Sequence, residues 1–113
     1  MTLPRMLPKK PKRDGRIRSQ AHLRWVRAHL CCVANGNCEG PIEAAHVRTG
    51  TGGGTGLKPG DNWAISLCRL HHGVQHQRGE GLFETTFGID MKALAREFAA
   101  KSPALRRMKP PPP

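Results

Sequence analysis

The residues best suited to carry chemistry lie in one stretch, between Cys68 and His76. It holds one cysteine and three histidines within nine residues, at Cys68, His71, His72 and His76. The two-residue gap between Cys68 and His71 is typical of a zinc knuckle, because two ligands from one tight turn can then reach the same tetrahedral ion. A tetrahedral site needs two more ligands, which must come from elsewhere in the chain.

Three further cysteines lie upstream, at Cys31, Cys32 and Cys38. Cys38 together with either Cys31 or Cys32 would complete a Cys3His set with Cys68 and His71. A closed set of four protein ligands leaves no open position, which is typical of structural zinc. We therefore expect structural Zn²⁺, and the sequence leaves open whether Cys31 or Cys32 is the ligand.

A second pair of histidines could form a separate metal site. His72 and His76 are four residues apart, so on a helix they share one face and could chelate an ion together. His71 and His72 point roughly 100° apart around a helix axis, so each can face a different site. The alternative is a single zinc site in a binding module, with His76 on the surface of a helix.

The composition favours a nucleic-acid partner. The 113 residues include 19 Lys and Arg against 8 Asp and Glu, which gives a net charge of +11. Such an excess suits a polyanion, because basic groups release counterions from phosphates. No signal peptide is visible, and no apolar run approaches the roughly 18 residues that a membrane span needs. We expect no membrane partner and a cytoplasmic protein, in which cysteines serve as metal ligands rather than disulfides.

The pattern along the chain predicts one domain, over residues 16–101, with extended ends. Residues 1–15 are expected to form a flexible basic arm, and residues 102–113 a Pro-rich disordered tail. Within the domain we predict helices over 19–29, 70–77 and 90–100, strands over 41–48 and 63–67, one turn of helix in 81–88, and a glycine-rich loop over 49–61.

The order of these features resembles the HNH (ββα-metal) endonuclease family. A cysteine-rich turn comes first, followed by a strand that ends in His46, a glycine-rich loop, a second strand and the knuckle. The segments HLRWVRAHLC, PIEAAHVRTGTGGGTGLKPGDNWAISLCRLHHGVQHQRGE and FGIDMKALAREF are similar to small phage and prophage HNH nucleases of the Ref-like kind. This resemblance covers residues 20–100. It implies an α+β fold, with a small ββα-metal core, a structural zinc site and flanking helices.

The resemblance also implies roles for single residues. His46 would be the general base that deprotonates the attacking water, a task suited to a near-neutral pKa. His72 and His76 would hold a catalytic divalent ion, Mg²⁺ or Mn²⁺ or else Zn²⁺. For the first pair of structural zinc ligands the resemblance favours Cys31 and Cys38.

Two positions depart from the family pattern. Many members carry Asp or His just before the base as a further metal ligand, and here that residue is Ala45. Glu43 lies on the same strand face as Ala45 and could supply a carboxylate ligand to the metal. Alternatively, Glu43 is solvated or paired with an arginine. The family's central Asn falls at Trp63 in this chain. A bulge could restore Asn62 to a catalytic role, or Asn62 is a turn residue after Asp61.

Several other residues have both a functional and a structural interpretation. Arg48 lies two residues after His46, so on the same strand face, and could contact the scissile phosphate or be an ordinary surface residue. Glycines in the loop 49–56 would let the backbone approach DNA closely, or the loop is a plain linker. Trp25 and Trp63 are expected to pack inward rather than stack on bases.

The function expected from these features is metal-dependent hydrolysis of DNA phosphodiester bonds by a phage- or prophage-derived HNH endonuclease linked to recombination. One alternative is a zinc-stabilised DNA-binding module without catalysis. Another is a nuclease that becomes active only on a recombinase–DNA filament, which the Ref-like resemblance suggests.

Overall fold

The computed structural model describes residues 16–51 and 58–108 of the chain. The predicted arm over 1–15, the centre of the glycine-rich loop and the last five residues lie outside these ranges. Along the described residues the elements are α1 Gln20–Arg27, β1 Ile42–His46, β2 Ala64–Cys68, α2 Arg69–Arg78, α3 Glu80–Phe87, α4 Met91–Lys101 and α5 Pro103–Arg106. The predicted α+β class is confirmed. No described helix is long and apolar enough to span a membrane.

The two strands form an antiparallel sheet that leads directly into a helix. Ile42 pairs with Cys68 and His46 pairs with Ala64, so the first residue of each strand lies opposite the last residue of the other. β2 is buried along its whole length. Cys68 ends β2 and caps α2 with its side chain, which accepts a hydrogen bond from the backbone N–H of His71. α2 runs back along the sheet, because the N–H of Arg69 donates to the carbonyl of Pro41 beside the start of β1 and Gln75 further along α2 donates to the carbonyl of His46 at its end.

The core lies between this sheet and the helices that follow it. Ile65 and Leu67 of β2 pack in one cluster with Phe83 of α3 and with Met91 and Ala95 of α4, and all five are completely buried. Burial of each large apolar side chain contributes about 1.5–3 kcal/mol. A core of this size is modest, and small domains of this kind usually need a further stabiliser such as a metal.

The helix starts predicted at Ser19 and Asp90 are confirmed. The Ser19 side chain accepts a hydrogen bond from the backbone of His22, and the Asp90 side chain accepts one from the backbone of Ala93. α1 ends at Arg27, two residues earlier than predicted, and Leu30 beyond it is 86% exposed. Capping residues, whose side chains accept hydrogen bonds from the first free N–H groups of a helix, therefore predicted the helix start correctly. The spacing of apolar residues predicted the helix end less well.

Two predictions for the C-terminal third are wrong. The segment predicted to form one turn of helix forms two, ending where Gly88 adopts the left-handed conformation with φ +66°. The tail is not extended from residue 102, because Ser102 caps the short helix α5 and Pro103 occupies its first turn, where proline is favoured. Ser102 is completely buried, and its Oγ lies 2.7 Å from Nδ1 of His22 in α1.

Candidate active site and metal centre

The predicted structural metal ligands come together in one cluster. The ligand atoms of Cys31, Cys38, Cys68 and His71 all lie within 4.8 Å of one another. Nδ1 of His71 is 3.7 Å from Sγ of Cys31, 3.7 Å from Sγ of Cys38 and 3.1 Å from Sγ of Cys68. A tetrahedral zinc with Zn–S of about 2.3 Å and Zn–N of about 2.0–2.1 Å places sulfur and nitrogen ligands about 3.5 Å apart. The four residues therefore fit a metal such as zinc.

The choice between Cys31 and Cys32 is decided by the backbone. The N–H of Cys32 donates to the carbonyl of Ser66 at 2.8 Å, so this segment runs alongside β2. Neighbouring side chains of an extended segment point in opposite directions. Cys31 Sγ consequently faces the knuckle and accepts a hydrogen bond from the N–H of Cys68, whereas Cys32 Sγ contacts the Ser66 hydroxyl. Cys31 is a member of the cluster and Cys32 is not.

The crowding of the thiols changes their acidity. Desolvation, together with hydrogen bonds to Cys31 and Cys68, raises the pKa of Cys38 to about 11. Zinc binds the thiolate form, so a metal ion entering this cluster must displace thiol protons. The affinity of the cluster for zinc is therefore expected to weaken as the pH falls.

His46, at the end of β1, is held by a buried carboxylate. Its Nε2 lies 2.9 Å from Oδ1 of Asp61, whose side chain is only 3% exposed. The other oxygen, Oδ2, accepts a hydrogen bond from the N–H of Ser19 at 2.8 Å. The N–H of Asp61 in turn donates to the carbonyl of Ile17. Asp61 was expected only as a turn residue, yet it links the start of α1 to His46.

The environment of His46 keeps the imidazole neutral. Desolvation by burial is the largest effect and lowers the pKa of His46 below its usual 6.5. Asp61 acts in the opposite direction, while the positive charges of Lys58 and Arg18 lower the pKa further. With Nε2–H donating to Asp61, Nδ1 has a free lone pair, and no described residue hydrogen-bonds to it. His46 is thus a neutral base at pH 7.

The second histidine pair converges as predicted. Nε2 of His76 lies 3.2 Å from Nε2 of His72. Two nitrogens bound to one ion at about 2.0–2.1 Å are separated by about 3.3 Å in a tetrahedral site. Nδ1 of His72 lies 2.9 Å from Oε1 of Glu43, so this carboxylate pairs with a histidine rather than with an arginine, while its side chain remains 39% exposed. The Glu43 carboxylate favours a proton on Nδ1 and directs the lone pair of Nε2 toward His76.

One cleft brings these groups together with two cations. A cavity of about 380 Å³ is lined by His46, His72 and His76 and by the basic residues Arg48 and Lys58. Ala44 completes the lining, so none of its residues is acidic. An adjoining cavity of about 220 Å³ shares His46, Arg48 and His76 with it. The cleft therefore presents a neutral base, a histidine pair and positive charge to a single ligand.

A buried amide and a carboxylate fix the floor of the cleft. Gln75, 3% exposed, donates through Nε2 to the carbonyl of His46 at 3.1 Å and to Glu80 at 3.1 Å. The carboxylate of Glu80 accepts hydrogen bonds from the backbone N–H groups of Arg48 and Thr49, at 2.8 and 2.7 Å. Desolvation opposes ionisation of Glu80, but these hydrogen bonds outweigh it and its pKa is lowered. α2 and α3 thereby hold the end of β1 in place.

One of the predicted catalytic residues, Asn62, does not join the cleft. Asn62 lies in the turn before β2, where a Cβ added at Gly60 would meet its Oδ1 at 2.5 Å, so its side chain folds back over the turn. It does not line either cavity beside His46. Ala45 is completely buried in the core, so this position supplies no metal ligand. Trp63 packs partly buried against the core, and Trp25 packs edge-on against Phe98, as inward-facing residues do.

Four residues of the site were missed or misjudged in the sequence. Asp61 stands in a Pro-Gly-Asp-Asn run, in which aspartate usually marks a turn. Gln75 and Glu80 carry no motif at all. Glu43 was considered as a metal ligand, but its contact with His72 was not predicted. Their roles depend on contacts between segments that are distant in sequence.

The comparisons with known proteins identify a family without a described activity. Residues 2–105 match a family model described as "Protein of unknown function (DUF968)". The chain is 31% identical, over 94 residues and 82% of its length, to the uncharacterized protein YdfU of Escherichia coli strain K12. It spans 25% of the length of that relative. No solved structure matches the chain.

Proposed function

The chain belongs to the DUF968 family, and we propose that it is a metal-dependent DNA endonuclease of the HNH type. The observation that carries this proposal is the shared cleft of His46 and the His72/His76 pair. Metal-dependent hydrolysis of a phosphodiester needs a general base and ligands for a divalent ion. His46, held by a buried carboxylate, can serve as the base, and the two converging imidazoles can serve as the ligands. The β–β–α order and the Cys3His cluster that supports it agree with the proposed ββα-metal fold.

In the proposed reaction His46 accepts the proton of the attacking water. The water oxygen forms a bond to phosphorus, its proton moves to Nδ1 of His46, and the bond between phosphorus and the 3′ oxygen breaks. The leaving 3′ oxygen takes a proton from solvent. Asp61 keeps Nε2 protonated and stabilises the imidazolium that forms, as the carboxylate does in other His–Asp pairs. A positioned general base contributes about 10²–10⁴ to the rate.

His72 and His76 would hold the divalent ion, Mg²⁺, Mn²⁺ or Zn²⁺. Their Nε2 atoms fit one ion, and Glu43 orients the first of them. An ion held there would supply stabilisation for the charge that develops on the phosphate and on the leaving oxygen. With Ala45 buried, the protein offers two ligands, which suits ions that keep several waters, such as Mg²⁺ and Mn²⁺.

The two cations of the cleft would hold the DNA backbone. Arg48 and Lys58 line the cavity beside His46, and its lining contains no carboxylate that would repel a phosphate. The net charge of +11 adds a general attraction for a polyanion. Guanidinium groups bind phosphate oxygens in pairs, so Arg48 is the candidate contact to the scissile phosphate.

A second candidate function is a zinc-stabilised DNA-binding module without catalysis. Two observations favour it. Ala45 provides no third metal ligand, and Asn62 is turned away from the cleft. A binding module has no need for a buried carboxylate behind His46, however, and this contact makes the nuclease the better proposal. A nuclease that needs a recombinase–DNA filament remains a variant of the first proposal.

The decisive experiment compares three zinc-loaded proteins on supercoiled plasmid and on circular single-stranded DNA. The proteins are the unaltered chain, His46→Ala and the matched control His29→Ala, whose histidine lies in a different groove. Each is incubated with Mg²⁺, with Mn²⁺ and without added metal. The proposal expects nicking with added metal by the chain and by the control, and none by His46→Ala at unchanged zinc content.

Other outcomes would discriminate between the candidates. Equal cleavage by His46→Ala would overturn the assignment of His46 as the base. DNA binding without cleavage in any metal would favour the binding module. Cleavage that appears only after a recombinase filament is added to the same reaction would support the partner-dependent nuclease.

A further inference from the structure

A second groove lies between α1 and α5, on residues that the cleft does not use. It has a volume of about 410 Å³. Arg24 and Trp25 of α1 form one wall, and Ala104 of α5 with Arg107, which follows α5, forms the other. The groove exists only because the C-terminal segment folds back as α5 instead of extending from residue 102.

The two walls are fixed relative to each other by a buried hydrogen bond. Oγ of Ser102 lies 2.7 Å from Nδ1 of His22, and both side chains are completely buried. Burial lowers the pKa of His22, so the neutral imidazole accepts or donates this bond at pH 7. The same Ser102 side chain caps α5. This bond ties the start of α5 to α1, the two segments that line the groove.

The charge of the groove selects an anionic ligand. Both of its charged lining residues, Arg24 and Arg107, are cationic, and none of the lining residues is acidic. Within the described residues, no carboxylate pairs with either guanidinium. The half-buried Trp25 provides an apolar floor. Two guanidinium groups on facing walls suit phosphate groups, which arginine binds through paired hydrogen bonds.

The groove and the cleft are linked by a short path of hydrogen bonds through Ser19 and Asp61. Ser19 lines the groove, and its N–H donates to Asp61 at 2.8 Å. Asp61 contacts His46 at 2.9 Å. Only the Asp61 side chain therefore separates Ser19 of the groove from His46 of the cleft, so the two sites are close enough for one DNA duplex to contact both.

We propose that the α1–α5 groove binds the phosphate backbone of the DNA substrate beside the cleavage position, with Arg24 and Arg107 as phosphate contacts. This inference rests on the proposed function, because it takes DNA as the ligand of the cleft. It adds a second contact region, which lengthens the stretch of DNA that the protein covers.

The test measures DNA binding separately from cleavage. Fluorescence anisotropy with a labelled 30-base-pair duplex is recorded over a range of salt concentrations, in zinc-loaded protein carrying His46→Ala and without added divalent ions. Introducing Arg24→Ala and Arg107→Ala together should lower the slope of log affinity against log salt by about 1.8, because each phosphate contact contributes about 0.9. The matched control Arg69→Ala with Lys101→Ala removes the same charge from other faces and should leave the slope unchanged.

A second variant distinguishes loss of phosphate contacts from loss of folding. Ala104→Glu places a carboxylate in the groove, at the first turn of α5, where a negative charge favours the helix. It should weaken duplex binding at low salt while the circular dichroism spectrum and the zinc content stay the same. Equal slopes for the groove variant and the control, or unchanged binding by Ala104→Glu, would overturn the groove. Such a result in a chain that still cleaves DNA would leave the proposed nuclease intact.

Discussion

Nε2 of His46 lies 2.9 Å from Oδ1 of Asp61, although fifteen residues separate the two and Asp61 stands in a turn. The contact is buried at the Asp61 end, where the side chain is 3% exposed, and partly exposed at the His46 end, where the side chain is 16% exposed. Asp61 is held from behind by the N–H of Ser19. A carboxylate in this position selects the tautomer of the imidazole and leaves Nδ1 as the nitrogen that can accept a proton.

Replacing Asp61 by Asn should slow DNA cleavage with little effect on DNA binding. An amide cannot accept both the His46 and the Ser19 hydrogen bonds, so His46 would lose its tautomer or its orientation. We expect a loss in kcat between about 10-fold and the roughly 10⁴-fold loss that an amide causes in a Ser-His-Asp triad. Single-turnover cleavage of a labelled duplex would measure it. Asp90→Asn, at the start of α4, is the matched control.

A purely structural role for Asp61 would give a different pH profile. Asp61 raises the pKa of His46 against the larger effect of desolvation. Removing its charge should therefore move the acidic limb of the profile to lower pH, in addition to lowering the plateau. A uniform decrease at all pH values, accompanied by loss of circular dichroism signal, would contradict the assignment of Asp61 as the residue that positions the base.

Cleavage by the unaltered chain should have its acidic midpoint below pH 6.5. The base must be neutral, and desolvation lowers the pKa of His46 from 6.5. Activity is then full above that range and decreases as the pH falls through the lowered pKa. The measurement is kcat/KM from pH 4.5 to 8, with zinc content and DNA affinity followed in parallel. A midpoint above pH 7 would mean that another group titrates.

The zinc cluster should depend on Cys31 and not on its neighbour. Cys31→Ser removes one of four ligands, and structural zinc in small domains accounts for about 10–16 kcal/mol of apparent binding free energy. We expect this variant to lose its bound zinc and its cooperative thermal unfolding. Cys32→Ser should retain one zinc per chain, because Cys32 contacts Ser66 instead of the cluster. Elemental analysis of the two purified proteins gives the answer, and zinc loss from both would point to a different ligand set.

Two pairs of candidate metal ligands, Cys68 with His71 and His72 with His76, were predictable because their spacing is local. A cysteine and a histidine three residues apart, and two histidines four residues apart, occupy known positions on a turn or a helix. The residue types alone did not distinguish Cys31 from Cys32, and only the family resemblance favoured Cys31. The pairing of the Cys32 backbone with Ser66 is the physical reason that Cys31 faces the cluster.

The residues that orient the histidines could not be predicted in the same way. Asp61 and Ser19 meet across 42 residues, and Glu43 meets His72 across 29. Such contacts depend on how β1, α1 and α2 pack, which a periodic pattern does not encode. The helical fold of residues 103–106 was missed for a related reason. A Pro- and Arg-rich composition indicates disorder, but Ser102 gains a buried partner in His22.

Ser102→Ala should destabilise the protein more than the loss of a helix cap alone. Loss of the cap costs about 0.5–2 kcal/mol, and an unpartnered buried nitrogen on His22 adds about 1–3 kcal/mol. Urea unfolding in the presence of zinc measures the difference. Ser19→Ala is the matched control, since it removes the side-chain cap of α1 but keeps the hydrogen bond from the backbone N–H of residue 19 to Asp61. Equal losses in the two variants would show that the bond between His22 and Ser102 contributes nothing.

Glu43→Gln should weaken metal binding in the cleft without disturbing the zinc cluster. The carboxylate lies 2.9 Å from Nδ1 of His72, so it holds the proton there and leaves Nε2 to face His76. Replacing such an outer carboxylate typically costs about 10- to 100-fold in metal affinity. Mn²⁺ binding to the zinc-loaded protein, followed by electron paramagnetic resonance, measures the affinity directly. Glu39→Gln, an exposed residue with the same change of charge, should bind Mn²⁺ as the unaltered chain does. If His76→Ala abolishes binding while Glu43→Gln leaves it unchanged, the histidine pair binds the ion without help from Glu43. Unchanged binding in both variants would remove the metal site from the cleft altogether.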